Sequence, residues 1–231
     1  LTLDLHLPVA EDSSRAEVVI LLHGGGWVSG DKSFLKPTVD ILKNQRKNLA
    51  IVNINYRVSS GKNNLLSLQL ADLADVVDFL INNADKYNIR KDRFRLTGFS
   101  AGGHIALTYA YKSTDTTIGA IVAVSAPTEL SLRAWLDKTL WSKVELLTGY
   151  SYGGPIDIFK DDSPFYLATP RSPRTILVYG EADELVSPRQ GELLADKLKL
   201  LRVPYAYHLV LGETHELSAR KAAEYIMEAY Q

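Results

Sequence analysis

The sequence predicts an α/β fold, a mostly parallel sheet with helices on both faces. Two observations carry that prediction. Strand-like and helix-like segments alternate along nearly the whole chain, as parallel strands joined by helical crossovers require. Several strand-like runs, such as Val18–Leu22 and Ile51–Ile54, are short, largely apolar and rich in β-branched residues, as strands covered on both faces are.

Each element has its own justification. Leu1–Pro8 alternates Leu1, Leu3, Leu5 and Leu7 with polar residues, the period-two pattern of a strand with one buried face. Val18–Leu22 is a strand buried on both faces. Phe34–Lys47 is an amphipathic helix with Leu35, Val39 and Leu42 on one stripe. Ile51–Ile54 returns to strand. Leu65–Asn83 is a long helix in which Leu70, Leu73, Val77, Leu80 and Ile81 recur three and four apart. Phe94–Gly98 is a strand running straight into a small-residue turn and a helix over Ala101–Tyr111. Ile118–Val124, Thr175–Tyr179 and Tyr205–Leu211 complete the sheet, with helices over Pro188–Leu201 and Leu217–Tyr230.

Thr128–Ala168 breaks this rhythm. It is too long for a plain connection, and it carries Trp135, Trp141, Tyr152, Phe159 and Phe165. The expectation is a small helical insertion, residues 128–168, over the C-terminal edge of the sheet as a lid. A small packing subdomain is the alternative. With no repeat or linker in view, residues 1–231 are expected to form one domain.

Composition bounds the chemistry. The 231 residues carry 26 Lys and Arg against 27 Asp and Glu, a net charge of −1. Nucleic-acid and anionic-membrane binders usually show a basic excess, so no nucleic-acid partner is expected. The absence of cysteine excludes thiol nucleophiles, disulfides and Cys-ligated metals. No apolar run approaches the length of a membrane span. Leu1 opens the chain without an initiator Met, so a processed or trimmed N-terminus is expected, with the compartment left open between cytoplasmic and exported.

Two motifs carry chemistry. Gly98-Phe99-Ser100-Ala101-Gly102 fits G-x-S-x-G between a strand and a helix, the setting in which a serine is held exposed on a sharp turn. A glycine-rich turn with a helix-capping serine would give the same pattern. His23-Gly24-Gly25-Gly26-Trp27 follows the strand Val18–Leu22, and successive glycines let backbone N–H groups approach a developing oxyanion. A phosphate loop is the rival reading, but neither GxGxxG nor GxxxxGK[ST] is present. Gly24, Gly25, Gly26 and Ala101 are therefore the candidate oxyanion donors.

A serine nucleophile needs a base and an acid to orient it. His6 and His208 lie in strands, His23 in the glycine loop and His104 in the helix after Ser100. His215 alone follows a strand end in a polar loop, which makes it the candidate base. Glu181, Asp183 and Glu184 all follow the strand Thr175–Tyr179, and Asp183, three residues past Gly180, is preferred. The order Ser100, Asp183, His215 matches that of α/β-hydrolases.

On these residues the chain resembles the α/β-hydrolase superfamily, and within it the BD-FAE-like (feruloyl and acetylxylan esterase-like) carboxylesterases, near the hormone-sensitive-lipase family. The matching landmarks are Leu3-Asp4-Leu5, His23–Trp27, Asn55-Tyr56-Arg57, Asp72, Gly98–His104, Ser163-Pro164, Gly180 with Asp183, and His215. Tyr179 stands where the family carries His, and Thr214 where it carries Gly. The resemblance implies a serine esterase with no cofactor or metal, acting on a small-molecule or carbohydrate-linked ester. It leaves arylformamidase activity, or an inactive ligand-binding module, as alternatives. Trp27, Trp135, Trp141 and Phe165 are the expected substrate contacts. The small insertion implies short acyl groups.

Overall fold

The computed structural model describes residues 1–9, 14–58, 65–113, 117–152 and 156–231. Residues 153–155 of the expected insertion therefore lie outside the described residues. Seven strands form one sheet: β1 (Thr2–His6), β2 (Glu17–Leu22), β3 (Leu49–Asn55), β4 (Phe94–Phe99), β5 (Ile118–Val124), β6 (Arg174–Gly180) and β7 (Tyr205–Val210). Their order across the sheet is β1-β3-β2-β4-β5-β6-β7. Only β1 runs antiparallel, pairing Thr2 with Asn55 and His6 with Ile51, while the other six are parallel.

The helices are α1 (Lys36–Gln45), α2 (Leu65–Asn82), α3 (Ala84–Tyr87), α4 (Ala101–Lys112), α5 (Lys138–Thr148), α6 (Ile156–Asp161), α7 (Pro164–Leu167), α8 (Arg189–Leu201) and α9 (Ala219–Glu228). The expected helix over Phe34–Lys47 begins later. A 3-10 turn, Lys32–Leu35, comes first, and Pro37 then opens α1, where its missing N–H costs nothing.

The strand pattern divides the core into two layers. Val18, Ile20 and Leu22 of β2 belong to one buried cluster with residues of α2, α4, α5 and α8, while Val19 and Leu21 belong to a second that includes Val39 and Leu42 of α1 and Ala223 and Ile226 of α9. Side chains alternate faces along a strand, so a strand with helices on both sides is apolar at most of its positions. From β2 the chain adds β3 on one side, between β2 and β1, then crosses back to place β4 on the other side of β2. That reversal opens a crevice at the C-terminal ends of β2 and β4, where open α/β sheets place their ligands. No helix among the described residues is long and apolar enough to cross a membrane.

Candidate active site

The turn from β4 into α4 is sharp enough to hold Ser100 at φ 53° and ψ −118°. A non-glycine residue keeps such a strained conformation only where its surroundings over-determine it. Here the Ser100 N–H donates to the Val124 carbonyl at 2.7 Å. Gly102 lets the helix start beneath β2, because a Cβ there would lie 2.4 Å from the His23 carbonyl oxygen and 2.5 Å from that of Leu22.

Those carbonyls lead into the glycine loop. Gly25, Gly26 and Trp27 have φ of 123°, 58° and 63°, which turns the chain back toward the serine. A Cβ on Gly24 would stand 3.4 Å from that of Ser100. Among the described residues, the N–H groups of Gly25, Gly26 and Ala101 meet no backbone acceptor.

The loop is held from behind. The Tyr56 hydroxyl donates to the His23 carbonyl at 2.7 Å, and the Gln69 amide donates to the Trp27 carbonyl at 2.8 Å. The Trp27 indole N–H donates to His104 Nδ1 at 3.2 Å, and His104 Nε2–H donates in turn to the Asp162 carbonyl at 2.7 Å. With one ring nitrogen accepting and the other donating, His104 is neutral. Burial pushes its pKa down to about 4.

The acid and base candidates come from the next two strand ends. Asp183 Oδ1 accepts the N–H groups of Leu185 and Val186, each at 2.9 Å, and Oδ2 faces His215 Nδ1 at 2.8 Å. The Asp183 carboxylate is fully buried and the His215 ring 18% exposed. A carboxylate only accepts, so Nδ1 of His215 carries the proton and Nε2 keeps its lone pair. Gly180 brings the two loops together, since a Cβ there would meet the Thr214 carbonyl oxygen at 2.2 Å. Glu181 instead accepts the Gly212 N–H at 3.2 Å, and Glu184 is exposed.

Ser100, His215 and the three glycines line one cavity of about 620 Å3. The 3-10 turn and α1 add Phe34, Leu35, Pro37 and Thr38, α5 adds Leu140 and Lys143, and Phe99, Val124, Leu185, Glu216, Leu217 and Ala219 complete the wall. Among the described residues, no group of three or more His, Asp or Glu side chains converges as metal ligands would.

None of the four aromatics expected at the substrate is among the residues that line this cavity. Trp27 is wholly buried under the glycine loop, committed to His104. Trp141 is capped by the Arg133 guanidinium 3.7 Å from its ring centre, and its N–H donates to the Arg133 and Leu136 carbonyls at 3.2 Å. Phe165 packs edge-on against Tyr166, with the Lys197 ammonium 5.5 Å from its ring centre. Trp135, in the short turn before α5, is absent from the wall as well. Sequence inspection missed Phe34, Lys143, Leu185 and Leu217, which come from four separate segments and share no motif.

With this geometry in place, the chain can be set beside known proteins. Residues 3–198 match the BD-FAE family model. The chain belongs to the BD-FAE family. Among relatives of this BD-FAE chain, an esterase of Fusarium pseudograminearum is 26% identical over 223 residues, 89% of this chain and 67% of that protein. A kynurenine formamidase of Meyerozyma guilliermondii is 25% identical over 236 residues, 94% of this chain and 86% of that protein. A protein of Acanthamoeba polyphaga mimivirus named for the alpha/beta hydrolase fold is 27% identical, and the chain spans only 61% of its length.

Solved structures agree on the fold. A truncated carbohydrate esterase from gut microbiota superposes with a TM-score of 0.80 at 19% identity, over 98% of this chain and 90% of that one. An esterase of Thermogutta terrifontis gives 0.78 at 19% identity, over 98% and 87%. The BD-FAE chain thus has the α/β-hydrolase fold.

Proposed function

We propose that this chain is a serine carboxylesterase, acting on short-chain acyl esters or on carbohydrate and aromatic esters through Ser100, His215 and Asp183. The observation that carries the reading is the 2.8 Å Asp183–His215 bond, formed beside a serine on a strained strand-to-helix turn in the same cavity. The esterase relatives support the same class of reaction.

In the first half-reaction His215 Nε2 takes the proton of Ser100 as Oγ attacks the ester carbonyl. The tetrahedral oxyanion accepts N–H groups of Ala101 and Gly25, with Gly24 and Gly26 as the further donors of the loop. Collapse expels the alcohol, which leaves with the proton from His215. Water then attacks the acyl-serine by the same route, and Asp183 holds the imidazole tautomer throughout. A preset donor matters because it needs no reorganisation as charge develops, and each one is worth about 3 kcal/mol.

The kynurenine formamidase relative favours a second reading, hydrolysis of an aryl formamide by the same groups. Rates toward p-nitrophenyl acetate and butyrate, methyl ferulate, acetylated xylan and N-formylkynurenine separate the two. The ester reading predicts the highest kcat/KM on a short-chain ester and loss of that activity in Ser100→Ala. Preference for the formamide would replace it. Equal rates for wild type and Ser100→Ala would remove both in favour of a ligand-binding role.

A further inference from the structure

We infer that Lys143 selects esters that carry a carboxylate close to the scissile bond, an inference that rests on the ester-hydrolase reading above. Lys143 lies on α5, whose Leu140, Val144 and Leu147 are buried in the main core, so the backbone that carries it is fixed. Its side chain crosses the glycine loop. A Cβ on Gly26 would fall 2.5 Å from Lys143 Cδ and 3.0 Å from its Nζ, so the lysine chain and its ammonium lie directly over Gly26.

Among the described residues no carboxylate pairs with Lys143 and no acceptor hydrogen-bonds it, although the side chain is partly buried and lines the cavity that holds Ser100. The other ionic side chain on the wall, Glu216, follows His215 and does not pair with it. An ammonium offers three donors and no acceptor, and it binds an anionic oxygen more strongly than a neutral one. In a cleft otherwise walled largely by Phe34, Leu35, Val124 and Leu140, that attraction is less screened than in open solvent. A carboxylate on the acyl group or on the alcohol would supply the same anion.

Two substrate pairs distinguish those sources. p-Nitrophenyl hemisuccinate against p-nitrophenyl valerate places the charge on the acyl side. Acetylated glucuronate against acetylated glucose places it on the alcohol side. The quantity read is the ratio of kcat/KM for the charged ester to that for its neutral counterpart. Lys143→Met lowers this ratio about tenfold in one pair, the equivalent of about 1.4 kcal/mol, chiefly through KM, and Lys143→Arg restores most of it. An unchanged ratio in both pairs overturns the inference, as does an equal loss on charged and neutral esters, which would assign Lys143 to the oxyanion instead. Wild type inactive on all four esters would overturn the hydrolase reading itself, and this inference with it. Thermal melting of Lys143→Met checks that the variant is folded.

Discussion

Three carboxylates follow β6, and the backbone decides between them. Asp183 turns inward because the N–H groups of Leu185 and Val186 converge on Oδ1, which leaves Oδ2 for His215. Replacing it by Asn keeps the shape but offers an amide donor or a weaker acceptor to Nδ1. Asp183→Asn is therefore expected to lower kcat toward p-nitrophenyl acetate by about 10^4-fold, as loss of the equivalent group does in serine proteases, with KM little changed. Steady-state kinetics on variant protein of unaltered circular dichroism checks this, and a fall below tenfold would remove Asp183 from the mechanism. The serine, its glycine loop and the His215–Asp183 pair were all legible in the sequence. Each sits at a strand end, where a short run of residues sets the local backbone.

The elements were legible in proportion to how periodic they are. β2 and β3 were plain from short, largely apolar runs, and α2 from its three-and-four spacing. The start of α1 was misplaced because Leu35 continues the apolar stripe while still in a 3-10 turn, and only Pro37 marks the true first turn. The insertion was the least legible, since its aromatics carry no period. Tyr152 stacks on Phe159 at 4.6 Å, and the Arg133 guanidinium lies 4.7 Å from the Tyr152 ring centre, so these rings bind the insertion to itself. Two outcomes follow at this scale. Phe159→Ala is expected to cost about 3–5 kcal/mol in chemical denaturation, because the buried ring leaves a cavity. Trp135→Ala and Phe165→Ala are expected to leave KM for p-nitrophenyl acetate within about twofold, since neither ring borders the cavity. A tenfold rise in KM for either would restore its place at the substrate.

Across the whole molecule, the sheet order brings together groups that are remote in the chain. β2, β4, β6 and β7 deliver the glycine loop, Ser100, Asp183 and His215 to one edge, and the two helical layers cover everything below. The walls could not be read beforehand, because Phe34 and Lys143 meet only through that topology. A continuous sheet with shared cores predicts a single cooperative unfolding transition, checked by agreement of calorimetric and van't Hoff enthalpies.

Acid should weaken the fold by a definite route. Burial lowers the pKa of His104 to about 4, and burial lowers those of His23 and His6 in the same direction. Between an unfolded value near 6.5 and the folded one, the unfolded chain binds more protons, so this stabilisation is full above pH ~6.5 and lost as pH falls toward 4. Melting temperatures between pH 7.5 and 4.5 should fall along that limb, and His104→Gln should make the limb shallower. An equally steep limb in that variant would place the acid sensitivity elsewhere.

The claim that organises the site is that Ser100 forms a covalent acyl intermediate. Treatment with diethyl p-nitrophenyl phosphate, followed by intact-mass measurement and peptide mapping, tests it directly. The account predicts one diethylphosphoryl adduct per chain, located on Ser100, with loss of esterase activity in step with labelling. It predicts no adduct in Ser100→Ala. Full inactivation with Ser100 unlabelled, or a labelled Ser100 in an enzyme that keeps its activity, would contradict it.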